Sequence, residues 1–297
     1  MAETIGFIGL GIMGQPMAIN LRKAGYEVWV HARRPESMQP VVAAGATACD
    51  SAREVAEHVS IIFTMVSDTP DVEAVILGEN GIIEGVHTGS VVVDMSTISP
   101  TTTRVIADML ETQGVEMLDA PVSGGEKGAI DGALSIMVGG KAEVFERVKP
   151  MFEVMGKNIV HIGDNGAGQV TKACNQVVIA QAISAIGEAY LLAESNGVDP
   201  RKVREALMGG FAGSRALESH GERMLDGNYQ PGFKAKLHQK DMRIVMQTAE
   251  EMGIALPGAA AVTQLINTAV GQGMGEDDSI SIFRLQQKLS GVKVNKD

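Results

Sequence analysis

The residues best suited by type and spacing to do chemistry stand at the amino terminus. Gly9-Leu10-Gly11-Ile12-Met13-Gly14 directly follows the apolar run Ile5-Gly6-Phe7-Ile8 and opens a helical pattern through Met17, Leu21 and Ala24. In a strand–turn–helix setting, Gly9 takes the tight turn, Gly11 lets the backbone approach a pyrophosphate, and Gly14 lets helix and strand pack closely. The phosphates then sit at the positive end of a helix dipole. An acid about 20 residues further on usually holds the ribose 2′-hydroxyl. Here that place reads His31-Ala32-Arg33-Arg34, without an acid. Two guanidiniums suit a 2′-phosphate, to which each can donate forked hydrogen bonds. The pattern favours NADP as cofactor, with NAD possible; by residue type alone, Arg33 and Arg34 also read as a solvated pair opening a loop.

Two further places carry reactive groups. Lys172 follows the turn Gly166-Ala167-Gly168 at the start of a long apolar helical stretch, and Asn175 lies three residues later on the same helical face. A partly desolvated lysine has its charged form disfavoured and can exchange a proton near neutral pH. On composition alone, a lone helical lysine reads as part of a solvated face. Ser123-Gly124-Gly125 follows a strand-like run and precedes a helical stretch. Its hydroxyl and backbone N–H groups can form an anion-binding nest for a carboxylate, although the same residues make an ordinary turn.

The elements that must position these groups fall into two sets. From residue 4 to about residue 163, short β-rich runs (5–8, 27–30, 60–65, 90–94 and 116–119) alternate with helical patterns, as parallel sheets with crossover helices do. Two later runs, 134–138 and 158–161, can extend the same sheet. After Gly163 the pattern is helical throughout, beginning with a stretch from about 168 to 196 that is apolar on nearly every face. That helix would be roughly 40 Å long and needs cover on all sides, inside its own domain or at a subunit interface. Asn196-Gly197 ends it, and Asp199-Pro200 starts the next. Further helices are expected over 235–251, 257–270 and 278–289. The expected fold is α/β: an amino-terminal Rossmann, doubly wound, mostly parallel sheet over residues 1–163, then an all-α domain over 164–297 for substrate binding and oligomerisation.

The net charge of -11 and the absence of any basic run argue against nucleic acid and membrane partners. Two cysteines, Cys49 and Cys174, cannot build a disulfide framework, and no apolar amino-terminal leader is apparent, so a cytoplasmic location is expected. The six histidines are scattered without ligand-pair spacing, so no metal is expected. Glu276-Asp277-Asp278 reads as the first turn of a helix, where negative charge suits the dipole.

Phe7-Ile8-Gly9-Leu10-Gly11-Ile12-Met13-Gly14 followed by Pro16-Met17 resembles the opening signature of the β-hydroxyacid dehydrogenases related to 3-hydroxyisobutyrate dehydrogenase. Asp119-Ala120-Pro121-Val122-Ser123-Gly124-Gly125 resembles that family's substrate loop. Gly166-Ala167-Gly168-Gln169-Val170-Thr171-Lys172-Ala173-Cys174-Asn175 resembles its catalytic helix, and Lys240-Asp241 its later cofactor-contacting lysine. The resemblance implies an NAD(P)-dependent oxidoreductase interconverting a small 3-hydroxy acid and its semialdehyde. It assigns catalysis to Lys172 and Asn175, substrate carboxylate binding to Ser123, Gly124 and Gly125, and further cofactor contacts to Met65, Val66, Thr97 and Lys240. Within the family, Ser123-Gly124-Gly125-Glu126 with the stretch 132–140 is most similar to the branch that reduces tartronate semialdehyde to D-glycerate, and next to the 3-hydroxyisobutyrate branch. A homodimer or homotetramer is also implied. The 6-phosphogluconate dehydrogenases, which share the first domain, need a much larger helical part than this chain has.

Overall fold

The computed structural model describes residues 3–293. Contacts divide the chain into two compact units between Lys172 and Ala173. In the first unit, the strands are β1 (Thr4–Ile8), β2 (Glu27–His31), β3 (Thr47–Ala48), β4 (Ile61–Thr64), β5 (Val91–Asp94), β6 (Glu116–Asp119), β7 (Val122–Ser123), β8 (Leu134–Gly139) and β9 (Gly156–Gly163). The helices that alternate with them are α1 (Gly14–Lys23), α2 (Gln39–Ala43), α3 (Ala52–His58), α4 (Thr69–Leu77), α5 (Pro100–Glu111), α6 (Gly125–Ile130) and α7 (Ala142–Met155).

The sheet order is β3-β2-β1-β4-β5-β6-β8-β7, with β9 beside β8. From β3 to β6 every pairing is parallel. β8 runs antiparallel to β6 and β7, and β9 is parallel to β8, so the two late runs do extend the sheet. The central strands are mainly apolar because both faces are covered. Ile5, Phe7, Ile61, Phe63, Val91 and Val93 pack on one side with Met17, Leu21 and Phe152. Ile8, Ile62 and Val92 pack on the other with Val55, Ile76 and Leu110. This is the two-residue alternation of a strand divided between two cores.

The registers Ile8↔Thr64, Thr64↔Asp94 and Asp94↔Asp119 end four strands at one level. After β1 the chain builds outward through β2 and β3, then returns to β4 on the opposite side of β1. The loops after β1 and β4 therefore diverge at a topological switch point, where open parallel sheets bind ligands.

The boundary between units falls inside α8 (Ala167–Ser195), which the second unit continues with α9 (Pro200–Met208), α10 (Arg215–Leu225), α11 (Ala235–Glu251), α12 (Pro257–Ala269) and α13 (Ile282–Ser290). Ala180, Ile183, Tyr190 and Leu191 of α8 share a core with Leu217, Met224, Met242, Val262 and Phe283. Cover is one-sided: Cys174 and Ala185 are exposed, and Val178 and Leu192 are 69% and 68% exposed. By length and composition alone α8 could cross a bilayer, but part of that apolar stretch is core here.

The acidic run before α13 departs from expectation. Asp278 is a cap, accepting from the Ile280 N–H of a 3₁₀ turn that precedes the helix, and its buried carboxylate also accepts from Arg223 and Gly232. Asp277 pairs with Arg284, and Glu276 with Lys234 and Lys236. Tertiary partners, rather than the helix dipole, hold these acids.

Candidate active site

The glycine loop joins β1 to α1 under tight steric control. Gly9 sits at φ +95°, and a Cβ there would strike the Met65 carbonyl; a Cβ on Gly14 would strike the Gly9 carbonyl oxygen. Gly11 differs, since a Cβ there would meet nothing within 4 Å. No side chain caps the first turn of α1, and no acid lies in it. Leu10 is buried and Ile12 exposed, with Met13 at the cap position. The loop is thus closed where strand and helix meet and open at Gly11, beside uncapped N–H groups. This arrangement fits the pyrophosphate of a dinucleotide.

Beyond β2, the His31 carbonyl accepts from the Gly9 N–H at 3.0 Å. Arg33 is almost fully exposed and lies 3.6 Å from Asp71; Arg34 precedes the turn Pro35–Met38. In the next loop, the Met65 N–H donates to the Ile8 carbonyl at 2.9 Å, and the Val66 N–H to Ser96 Oγ at 2.9 Å. Thr97 lies between two contacts made by one amide: Gln169 Nε2 donates to the Ser96 carbonyl at 2.8 Å, and Gln169 Oε1 accepts from the Ile98 N–H at 3.1 Å. Residues 9–14, Met65, Val66 and Thr97 therefore share the carboxyl edge of the sheet.

Lys172 is brought to the same unit by the way α8 begins. Asp119, at the end of β6, accepts the Gly166 N–H at 2.7 Å and the Gln169 N–H at 2.9 Å, supplying the first turn with its cap. A Cβ on Gly168 would sit 2.6 Å from the Asp119 carbonyl oxygen and 2.8 Å from Oδ2, so only glycine lets the helix dock there. Further along the helix, Lys172 is buried and its Nζ donates to the Val122 carbonyl at 2.7 Å. Val122 and Ser123 form β7 against β8. Gly124 (φ +140°) and Gly125 (φ +62°) then turn the chain into α6 in conformations that favour glycine. The lysine is held one residue from Ser123.

Burial pushes the Asp119 carboxyl up to about 6, backbone hydrogen bonds from Gly166, Gln169 and its own N–H opposing the shift and nearby Asp94 adding to it. A folded-state value above the unfolded one means a contribution to stability that is present below about pH 4 and lost as pH rises through 6. The margin of the wild type over Asp119→Asn, measured by urea unfolding, is expected to shrink between pH 4 and 6.5, by at most about 3 kcal/mol. A margin that widens over that range contradicts a raised carboxyl at Asp119.

In the second unit, Asn175 and Lys240 lie on α8 and α11 and belong to one set of side-chain contacts. Asn175 Nδ2 donates to Gln176 Oε1 at 2.7 Å, Gln176 Nε2 donates to Asp241 Oδ2 at 2.6 Å, and Lys240 Nζ lies 2.8 Å from Asp241 Oδ1. Glu126 lies in the first turn of α6, and Phe211 is fully exposed before the Ser214 cap of α10.

Sequence reasoning leaves Asp94, Asp119 and Gln169 unassigned. The two acids are the buried last residues of strands β5 and β6, and that position is a usable signal because a buried carboxylate requires partners nearby. Asp94 Oδ1 accepts from Thr64 Oγ1 at 2.8 Å and from the Ser96 N–H at 3.2 Å. Gln169 gives no such signal, since its contacts lie on loops distant in sequence.

Residues 4–163 match the NAD binding domain of 6-phosphogluconate dehydrogenase, and residues 166–286 match the domain described as NAD-binding of NADP-dependent 3-hydroxyisobutyrate dehydrogenase. The chain belongs to the β-hydroxyacid dehydrogenases related to 3-hydroxyisobutyrate dehydrogenase and is an NAD(P)-dependent oxidoreductase of that class. It is 48% identical over 290 residues to 2-hydroxy-3-oxopropionate reductase of Escherichia coli, covering 98% of this chain and 99% of that one. With 3-hydroxyisobutyrate dehydrogenase of Pseudomonas aeruginosa it shares 35% identity, covering 97% and 98%. A solved structure of Mycobacterium tuberculosis 3-hydroxyisobutyrate dehydrogenase with L-serine superposes with a TM-score of 0.89 at 29% identity, covering 97% of this chain and all of that one.

Proposed function

We propose that this enzyme reduces tartronate semialdehyde to D-glycerate, with NADPH the preferred reductant and NADH usable. The observation that carries the chemistry is the buried Lys172 Nζ fixed on the Val122 carbonyl, next to Ser123. The full-length 48% identity to a reductase named for that substrate supports the choice of aldehyde.

The Ser123 hydroxyl and the N–H groups of Gly124 and Gly125 hold the substrate carboxylate. When bound, the reduced nicotinamide supplies the hydride. Lys172 Nζ gives its proton to the oxygen that becomes alkoxide, and Asn175 steadies that oxygen or the lysine by hydrogen bonding. In the reverse direction, neutral Lys172 takes the hydroxyl proton. Residues 9–14 cradle the pyrophosphate, Arg33 and Arg34 take the 2′-phosphate, and Met65, Val66, Thr97 and Lys240 complete the cofactor contacts. The cofactor domain is the sheet-bearing part up to Gly163, and the helical domain begins with α8, whose first residues pack with the sheet unit.

The test is a screen at 340 nm with NADPH and NADH, each against tartronate semialdehyde and methylmalonate semialdehyde, and in reverse with D-glycerate and 3-hydroxyisobutyrate. Faster turnover of the methyl-bearing pair overturns the substrate choice in favour of 3-hydroxyisobutyrate, because a site built to bond a hydroxyl rejects the analogue lacking it.

The loose, exposed Arg33–Asp71 pair costs little to exchange for a phosphate. Replacing Arg33 and Arg34 together by alanine is expected to raise the KM for NADPH by about 10- to 100-fold, leaving that for NADH within about twofold. Equal losses for both cofactors would remove the arginines from the 2′-phosphate.

The exposed apolar stripe of α8 supports assembly as a homodimer or homotetramer, which sedimentation will test. A cytoplasmic setting suits the unlinked thiols Cys49 and Cys174.

A further inference from the structure

We propose that Gln176 is a positioning residue that couples Asn175 to Lys240 through Asp241. The inference rests on the roles proposed above for Asn175 at the substrate and Lys240 at the cofactor. It gives a role to Gln176, which the sequence patterns do not single out, and to Asp241, which they show only beside Lys240.

The polarity of the chain of contacts is fixed by chemistry. An ionised carboxylate only accepts hydrogen bonds, so the amide atom facing Asp241 Oδ2 has to be Nε2. Gln176 Oε1 must then point the other way, where it can only accept, and Asn175 must turn its Nδ2 toward it. One charge thus sets the orientation of two successive amides, leaving Asn175 its Oδ1 and one N–H to present elsewhere. Gln176 and Asp241 are each 3% exposed, so water does not offer either an easy substitute. A buried carboxylate is tolerated where its oxygens are satisfied. Asp241 has Gln176 on one oxygen and the Lys240 ammonium on the other.

Both ends of the chain are short-range and belong to one unit: Gln176 adjoins Asn175 on α8, and Asp241 adjoins Lys240 on α11. Any change in how firmly Lys240 holds Asp241 alters how firmly Gln176 is held, and through it the set of the Asn175 amide. Cofactor contact at Lys240 and substrate orientation at Asn175 therefore become linked quantities.

The test uses full-length enzyme and two measurements, steady-state kinetics and calorimetric titration with NADP. Gln176→Met keeps the side-chain volume and removes both hydrogen bonds. It is expected to lower kcat about 10- to 30-fold with the substrate KM within about threefold, and to weaken NADP binding about 3- to 10-fold. Added to Asn175→Ala, it should cost no further kcat; added to Lys240→Ala, it should cost no further NADP affinity. Gln176→Glu keeps the acceptor for Asn175 but sets an acid against Asp241, beside Lys240. Its kcat relative to wild type should rise as pH falls, as the two carboxyls come to share a proton.

Losses from Gln176→Met that add fully to those of its neighbours overturn the coupling. So does a Gln176→Met enzyme with wild-type kcat and NADP affinity. If Asn175→Ala alone keeps its kcat, the proposed role of Asn175 fails, and the NADP titrations with Lys240→Ala still decide whether Gln176 acts on Lys240. Unfolding temperatures within a few degrees of wild type keep these comparisons clear of misfolding, and if Gln176→Met does not fold, the pH profile of Gln176→Glu decides.

Discussion

Lys172→Ala lowers kcat by about 10³-fold while NADP binds as before; this is the expected result if the lysine is the proton donor, since positioned general acids contribute 10²- to 10⁴-fold. The reason is geometric. Lys172 Nζ is buried and fixed on the Val122 carbonyl at 2.7 Å, so the proposed donor is held beside Ser123 rather than wherever a flexible lysine would swing. The loops at residues 9–14, Met65 and Val66, proposed to hold the cofactor, are separate from it in sequence. Lys172→Arg is not expected to rescue, because guanidinium does not give up a proton at these pH values and its planar head does not fit a site shaped for an ammonium. Single-turnover rates with NADPH, beside calorimetric NADP titrations, check both halves. A kcat within tenfold of wild type removes Lys172 from the proton transfer.

Gly168→Ala is expected to destabilise the fold by at least about 3 kcal/mol, or to prevent accumulation of folded protein. The added carbon would press on three oxygens, those of the Met137 and Asp119 carbonyls and the Asp119 carboxylate. None is the end of a flexible chain. Relief would need α8 to lift from β6 and β8, breaking the bonds from Gly166 and Gln169 to Asp119. Gly11→Ala is the control, because space around that position is open: its unfolding midpoint should stay near wild type while NADP binding weakens about tenfold or more, the backbone no longer approaching the pyrophosphate. Urea unfolding of both variants, with NADP titration of the second, separates a glycine needed for packing from one needed for a ligand. A Gly168→Ala protein as stable as the wild type would show that the helix start can shift, and that close approach to Asp119 does not dictate where α8 docks.

The parts of this molecule legible in sequence are those where one physical cause acts locally. Apolar runs such as Ile61–Thr64 and Val91–Asp94 announce buried strands because both sheet faces are covered. Asp199-Pro200 announces a helix start because capping involves neighbours in the chain, and Asp199 does accept the Arg201 N–H. The two-residue strands Thr47–Ala48 and Val122–Ser123 carry no pattern long enough to read. The tether of Lys172 to Val122, fifty residues apart, depends on where β7 lies. The acids at 276–278 look like a helix start only until their partners, Lys234, Lys236 and Arg223, arrive from other elements. In the candidate site, residue types are legible through family blocks and Asp119 through its place at the end of a buried strand, while Gln169 and Gln176 have partners distant in sequence and leave little trace in one sequence.

The level ending of β1, β4, β5 and β6 at Ile8, Thr64, Asp94 and Asp119 bears on how the enzyme can be altered. The central parallel strands stop at that line, and sequence proposed to touch ligands begins within a few residues of it. A mutant library confined to positions 11–13, 33–34, 65–67 and 124–127 would sample changes of cofactor and substrate while leaving the strands untouched. The tolerance of such a library should drop abruptly, not gradually, when its windows are moved two residues back across the line.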